Sequence, residues 1–329
     1  MLRALNIRHR TLPLRSPFRI SRGVKLAAEV VTVELDQAGS VGRGESVPYA
    51  RYGESVASVM DQIERLRDPL CAGMGRDELQ ARLPAGAARN AVDTALWDLE
   101  SRLSQVPVWE QLARPPHSPL VTALTISIDT PQEMGKAASR IANARLIKIK
   151  VGADDPVGRI EAVRQAAPTA KLIVDPNEGW TIDILREVQP ALERASVSLL
   201  EQPLPAEADE ALREFSGRIP ICADESCHTT SNLPSLRDRY QAVNIKLDKT
   251  GGLTEAWRLL RDARACGFIV MVGCMVCSSL GIAPALEVAR EADFVDLDGP
   301  LWLASDYPDG VSLRDGLLMP PSSGFWGGS

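Results

Sequence analysis

The chain has 329 residues, 45% of them hydrophobic and 24% charged, with a formal net charge of −6. That is the composition of a soluble globular protein long enough for one α/β barrel and a smaller partner. A negative chain without a basic stripe argues against nucleic acid as a partner, and no apolar run approaches the ~20 residues of a membrane span.

The N-terminal "MLRALNIRHRTLPLRSPFRI" scatters arginines where a signal peptide needs an apolar run, so the expected location is cytoplasmic. "EVVTVEL" (29–35) followed by "DQAGSVGRGES" (36–46) predicts strand, turn and strand. "PAGAARNAVDTALWDLESRLSQVPVWEQL" (84–112) predicts a helix with Val92, Ala95, Leu96, Leu99 and Leu103 on one stripe. The cluster "RPPHSP" (114–119) marks a boundary, closing a first unit over 1–115.

A different rhythm then begins. Short apolar runs recur at "VTALTISI" (121–128), "RLIKIKV" (145–151), "KLIVD" (171–175), "VSLLE" (197–201), "IPICAD" (219–224), "AVNIKL" (242–247), "FIVMVG" (268–273) and "DFVDLD" (293–298). Helical stretches separate them, which is the beat of a (β/α)8-type barrel rather than an open doubly wound sheet. Six cysteines in a chain this long make no disulfide framework. The CxxC of Cys274 and Cys277 has no second pair and only three histidines in the chain to complete a zinc site, so it reads as a reduced loop. The tail "PPSSGFWGGS" reads as loose.

The ends of these strands carry charge. Lys148 and Lys150 share one face of a strand, which alternates with period two. Asp175, Glu201, Asp224 and Lys246 follow at the ends of the next four strands, and Asp296 and Asp298 lie on the eighth. Singly, a strand-end carboxylate is usually a helix cap and a strand lysine half of an ion pair. Five such residues at one-unit spacing, in the order Lys, Asp, Glu, Asp, Lys, converge on one barrel mouth. Three carboxylates suit a hard divalent ion such as Mg²⁺. A lysine beside that ion, its pKa lowered, can remove a proton α to a carboxylate, and a second lysine on the opposite face can return one.

These residues resemble the enolase superfamily, and within it the muconate-lactonizing-enzyme subgroup, through "KIKVG", "VDPNEGW", "LLEQPL", "CADES" and "NIKLDKTGGL". The Lys base with Mg²⁺ is a known pattern of that superfamily. The resemblance implies an α/β fold: a (β/α)7β modified TIM barrel over 116–304, with an α+β capping domain built from 1–115 and the tail 305–329. It implies Asp175, Glu201 and Asp224 as ligands of one Mg²⁺, with Mn²⁺ also accepted. Lys150 and Lys246 become the two acid/bases, and Lys148 tunes the field around Lys150. Asn177 supports the metal site, and Glu225 pairs with a lysine.

Within the subgroup the chain is most similar to the L-Ala-D/L-Glu epimerases, through "PYARYGES" (48–55), "LPAGAARNAVDTALWDL" (83–99), "CADESCHTTSNL" (222–233) and "VDLDGPLWLA" (295–304). That implies a dipeptide substrate in murein peptide recycling, with Asp296 and Asp298 on its α-ammonium. "FRISRG" (18–23) matches a mobile lid, with Arg22 as the choice for the glutamyl carboxylate and Arg19 and Lys25 as competitors. "GCMVCSS" (273–279) implies pocket contacts through Met275 and Cys277, and Thr125 is a further contact. The resemblance leaves a homo-oligomer open. An epimerase of another dipeptide, a cycloisomerase and an o-succinylbenzoate synthase are the alternatives. A Schiff-base aldolase needs no aligned carboxylates, and a non-enzymatic binding barrel is expected to have lost part of the set.

Overall fold

The computed structural model describes residues 2–328, so Met1 and Ser329, at the outer limits of the expected capping domain, lie outside the described residues. Three strands open the chain as an antiparallel sheet: β1 (Ala4–Ile20), β2 (Gly23–Gln37) and β3 (Ser40–Ser46). Alternation decides which face is apolar. Val31, Val33 and Leu35 of β2 point to one side, where four helices cover them: α1 (Val56–Glu64), α2 (Arg67–Cys71), α3 (Arg76–Arg82) and α4 (Ala87–Ser104).

The expected stripe of α4 is in that core at Val92, Ala95, Leu96 and Leu99, whereas Leu103 is 41% exposed, because the last turn runs past the sheet. β3 lies unusually close to α4. A Cβ on Gly42 or Gly44 would stand 2.2 Å from the Ala95 carbonyl oxygen or 2.1 Å from that of Ala91, so only glycine permits this approach. The β1–β2 pairing shifts register between Pro13 and Phe18, and β3 pairs with β2 only from Val31 onward. Residues 13–27 therefore project as a two-stranded hairpin in which no residue is buried.

Eight parallel strands form a nearly closed barrel: β5 (Leu124–Ile126), β6 (Leu146–Lys150), β7 (Lys171–Asp175), β8 (Val197–Glu201), β9 (Ile221–Ala223), β10 (Ala242–Ile245), β11 (Ile269–Gly273) and β12 (Phe294–Asp296). The expected first strand, "VTALTISI", is split. Its start, β4 (Leu120–Val121), pairs instead with β14 (Leu317–Met319), which itself pairs with β13 (Ser312–Arg314). The seam between β12 and β5 is bridged by the Ala123 amide on the Val295 carbonyl (2.7 Å) and the Leu297 amide on Thr122 Oγ1 (2.9 Å). Inward-facing Leu146, Ile173, Leu199, Cys222, Ala242 and Met271 fill the barrel interior.

Sheet and barrel are locked together by polar groups. Glu45 of β3 accepts hydrogen bonds from the Ser278 amide (2.8 Å) and hydroxyl (2.7 Å), at the start of the helix Ser279–Ala289. Burial pushes this carboxyl up to about 7, against the pull of those bonds. Arg89 of α4 donates to the Thr250 carbonyl at 2.6 Å.

The tail is not loose. Phe325 and Trp326 are buried, Trp326 Nε1 donates to the Arg43 carbonyl (3.0 Å), and the Gly327 amide donates to Asp98 Oδ1 (2.8 Å). Two aromatic side chains outweigh the small and turn-forming residues around them. Among the described residues no helix is long and apolar enough to cross a membrane.

Candidate active site

The barrel delivers the charged strand ends to one mouth. Lys148 and Lys150 leave β6 on one face, Asp175 and Glu201 end β7 and β8, Asp224 and Lys246 follow β9 and β10, and Asp296 ends β12. All are buried, with none more than 6% exposed. Lys148 Nζ stands 2.7 Å from Glu201, 2.8 Å from Asp296 and 3.1 Å from Asp175. Lys150 Nζ is 2.5 Å from Asp175, and Lys246 Nζ is 2.6 Å from Asp224.

These carboxylates reverse the expected electrostatics. Burial alone lowers a lysine, but Asp296, Glu201 and Asp175 hold Lys148 well above its ordinary value. Lys246 is likewise raised, because Asp224 and Glu201 outweigh its burial. In turn the lysines overcome burial to hold Asp175 and Asp224 low, whereas burial and the Asp175 charge push Glu201 up.

Do these residues fit a divalent cation? As they stand, the carboxylates turn toward ammonium groups, and among the described residues no three Asp, Glu, His or Cys side chains close on a common point. The donor chemistry nevertheless fits. Asp175, Glu201 and Asp224 are buried hard-oxygen donors on three adjacent strands, and Glu201 Oε2 accepts no hydrogen bond although an ammonium lies nearby. Asn177 braces this set, its amide donating to Asp175 Oδ1 (2.8 Å) and its Nδ2 to Oδ2 (3.3 Å).

Above the carboxylates lies a cavity of about 50 Å³, bounded by both halves of the molecule. Thr125, Lys148, Lys150, Lys246, Met275, Asp296 and Asp298 all line it, as do Asn177, Asp224, Glu225 and Arg22. Asp175 and Glu201 sit behind it. Cys277 does not reach it, although Cys274 and Val276 do. Asp298 accepts the Thr125 amide at 2.7 Å, and burial and the neighbouring Asp296 raise it to about 6.

Two expected pairings differ. Glu225 meets Arg22 (2.8 Å), not a lysine, because the hairpin turn brings that guanidinium against it. Arg22 is thereby engaged: it also bonds Glu178 (2.9 Å), the Asn177 carbonyl (3.1 Å) and the Tyr49 hydroxyl (3.1 Å). Arg19 lies 4.0 Å from Asp129, outside the cavity lining. Lys25 does line the cavity, its ammonium 4.6 Å above the Tyr49 ring, and it has no carboxylate partner among the described residues. Burial lowers it.

Sequence reasoning missed Lys249, whose Nζ donates to Asp224 Oδ1 (2.6 Å) and to the Asn244 carbonyl (2.8 Å). The signal was present in "KLDK", where two lysines stand one helical turn apart. Tyr49 and Tyr52, which also line the cavity, carried no such signal.

Comparison with known proteins places this geometry. Residues 3–113 match the family model of the mandelate racemase / muconate lactonizing enzyme N-terminal domain, and residues 133–324 match the enolase C-terminal domain-like model. The chain is 48% identical to an L-Ala-D/L-Glu epimerase of Escherichia coli over 96% of its length and 99% of that protein's. It is 47% identical to an N-acetyl-D-glutamate racemase of a Pseudoalteromonas species, over 91% and 96%.

A crystal structure from Agrobacterium tumefaciens, an enolase family member with homology to dipeptide epimerases, superposes with a TM-score of 0.97 at 47% identity, covering 99% and 100% of the two chains. It holds sodium and L-Ala-L-Glu with an ordered loop. A dipeptide epimerase of Cytophaga hutchinsonii, complexed with Mg and D-Ala-L-Val, matches with a TM-score of 0.90 at 27% identity, covering 98% and 94%.

Proposed function

The chain belongs to the mandelate racemase / muconate lactonizing enzyme family of the enolase superfamily, and from that premise we propose that it is a Mg²⁺-dependent dipeptide epimerase interconverting L-Ala-L-Glu and L-Ala-D-Glu. One observation carries the reading. Lys150 and Lys246 line the same cavity from β6 and β10, strands four apart in a barrel of eight, and so approach it from opposite sides.

A glutamyl Cα held between them loses its proton to one lysine and regains one from the other, on the opposite face. Asp175, Glu201 and Asp224 are the residues that hold the cation. When bound, it supplies positive charge against the substrate carboxylate as Cα becomes electron-rich. Lys148, held charged by Asp296 and Glu201, keeps a fixed positive charge beside Lys150. Asp296 and Asp298 receive the substrate's α-ammonium, and Asp296 Oδ1 has no hydrogen-bond partner. Thr125 and the Met275 segment border that end. Lys25 meets the glutamyl carboxylate in place of Arg22, because Arg22 is occupied by Glu178 and Glu225.

We set the domain limits at 1–115 with 305–329 for the cap and 116–304 for the barrel, and the setting as cytoplasmic murein peptide recycling. A second reading, racemisation of N-acetylglutamate, is raised by the Pseudoalteromonas relative. Two aspartates at the amine end speak against it, since an N-acetyl amide carries no charge for them to meet.

Proton NMR in D₂O tests both. L-Ala-L-Glu with the protein and Mg²⁺ should lose its glutamyl α-proton signal while L-Ala-D-Glu appears, and EDTA should stop both changes. Faster exchange of N-acetyl-L-Glu overturns the dipeptide assignment. Silence across a set of L-Ala-L-Xaa dipeptides overturns the epimerase.

A further inference from the structure

We propose that the lid hairpin and the metal ligand Asp175 are mechanically coupled through Asn177 and Glu178, with Glu178 as the positioning residue: closing the hairpin fixes Asp175, and cation binding at Asp175 holds the hairpin closed. The inference rests on the reading of Asp175 as a cation ligand and gives Glu178, which that reading leaves without a role, the part of a positioning residue.

The link is a single short loop, "DPNEG" (175–179). Asn177 and Glu178 are consecutive non-glycine residues in the left-handed region, with φ of 48° and 65°. Such backbone persists only where its surroundings fix it. Here the surroundings are the metal ligand on one side and the lid on the other. The Asn177 amide and Nδ2 hold both oxygens of Asp175. The carbonyl of the same residue accepts Ser21 Oγ (3.0 Å) and Arg22 Nη1 (3.1 Å), both from the hairpin turn.

Glu178 clamps the arrangement. Its carboxylate takes Arg22 Nη1 (2.9 Å), Arg51 Nε and Nη2 (both 2.7 Å) and the Ala206 amide (2.9 Å). Packing agrees with the bonding: a Cβ on Gly179 would lie 3.3 Å from Ser21 Cβ. The hairpin tip has few other ties to the barrel. They include the Ile128 amide on the Arg19 carbonyl (3.2 Å), the Arg19 amide on Ser127 Oγ (3.2 Å), the Arg19–Asp129 pair (4.0 Å), the Phe18 ring against Trp302 (4.7 Å) and the Arg22–Glu225 pair. Val24 and Leu26 face solvent. The loop is thus the principal latch, and moving it must move Asn177 against Asp175.

Coupling of this kind is reciprocal. If Asp175 is better ordered with the hairpin closed, the cation must favour the closed hairpin by the same factor. Trypsin reads the hairpin tip through its sites at Arg19, Arg22 and Lys25, which are cut only when the tip opens. In the wild-type protein without substrate, Mg²⁺ should slow cleavage at these sites, followed by mass spectrometry. In Glu178→Gln that protection should vanish, and Mg²⁺ affinity by calorimetry should fall about tenfold, within the usual range of such couplings. Glu207→Gln removes only the exposed second partner of Arg51 and should leave both readouts unchanged.

If Glu178→Gln fails to fold, Ser21→Ala carries the test, since it removes one hydroxyl from the Asn177 carbonyl and should give a smaller loss of both. Wild-type protein that binds Mg²⁺ with no change in hairpin cleavage, or variants that bind it as the wild type does, overturns the coupling and leaves the epimerase standing. Wild-type protein that binds no Mg²⁺ overturns the coupling together with the reading of Asp175.

Discussion

Lys150 and Lys246 lie 2.5 Å from Asp175 and 2.6 Å from Asp224, so the proposed two-base mechanism requires those carboxylates to turn from the lysines to another positive charge. Two bases on opposite faces make a sharp prediction. Lys150→Met and Lys246→Met should each lower epimerisation by about 10²–10⁴-fold, the worth of one general acid or base. Each variant should still exchange the α-proton of one epimer in D₂O, and the two should retain opposite epimers; loss of exchange from both epimers in either variant rules out two independent bases. Lys25→Met should raise KM for L-Ala-L-Glu about tenfold or more while sparing L-Ala dipeptides with a neutral second residue; an equal effect on both removes Lys25 from substrate recognition. At this scale the sequence was legible in placing one charged residue at each of several strand ends around a single cavity. Partner choice was not: nothing in "FRISRG" says that Arg22 meets Glu178 and Glu225, since both lie more than 150 residues away.

Among elements, the barrel strands announced themselves because each is a short buried apolar run, and α4 because its stripe faces the sheet. The docked tail was illegible: its composition is that of a turn, and only the folded molecule presents the site beside Arg43 and Asp98 that takes Trp326 and Gly327. The junction of β3 with the helix Ser279–Ala289 makes a prediction of its own. Glu45 titrates at about 7 when folded and near 4.5 when unfolded, so the folded state binds the extra proton between these values. Its contribution is intact below about 4.5 and lost as pH rises through about 7, on the order of 3 kcal/mol at most. Glu45→Gln should therefore flatten the decline in stability between pH 5 and pH 8, read from urea unfolding at each pH. An unchanged slope places the titration elsewhere.

For the whole molecule, a cation that binds only the folded barrel stabilises all of it. At a hundredfold excess over Kd the gain is about 2.7 kcal/mol, so Mg²⁺ should raise the thermal midpoint by several degrees and EDTA should reverse it. A midpoint indifferent to both would mean that the strand-end carboxylates hold no such ion. The molecule also divides unevenly between what is fixed and what is free. The charged strand ends are buried and mutually paired, and glycine contacts seat the sheet hard on α4. The hairpin over 13–27 has no buried residue, so replacing its side chains, Ser21 and Arg22 apart, leaves the barrel core undisturbed. Under the proposed function, variation outside Ser21 and Arg22 can accumulate where the substrate's distal end is met while the buried strand ends stay constant. If the proposed function holds, a library confined to this hairpin with Ser21 and Arg22 kept is the economical starting point for changing which dipeptide is accepted.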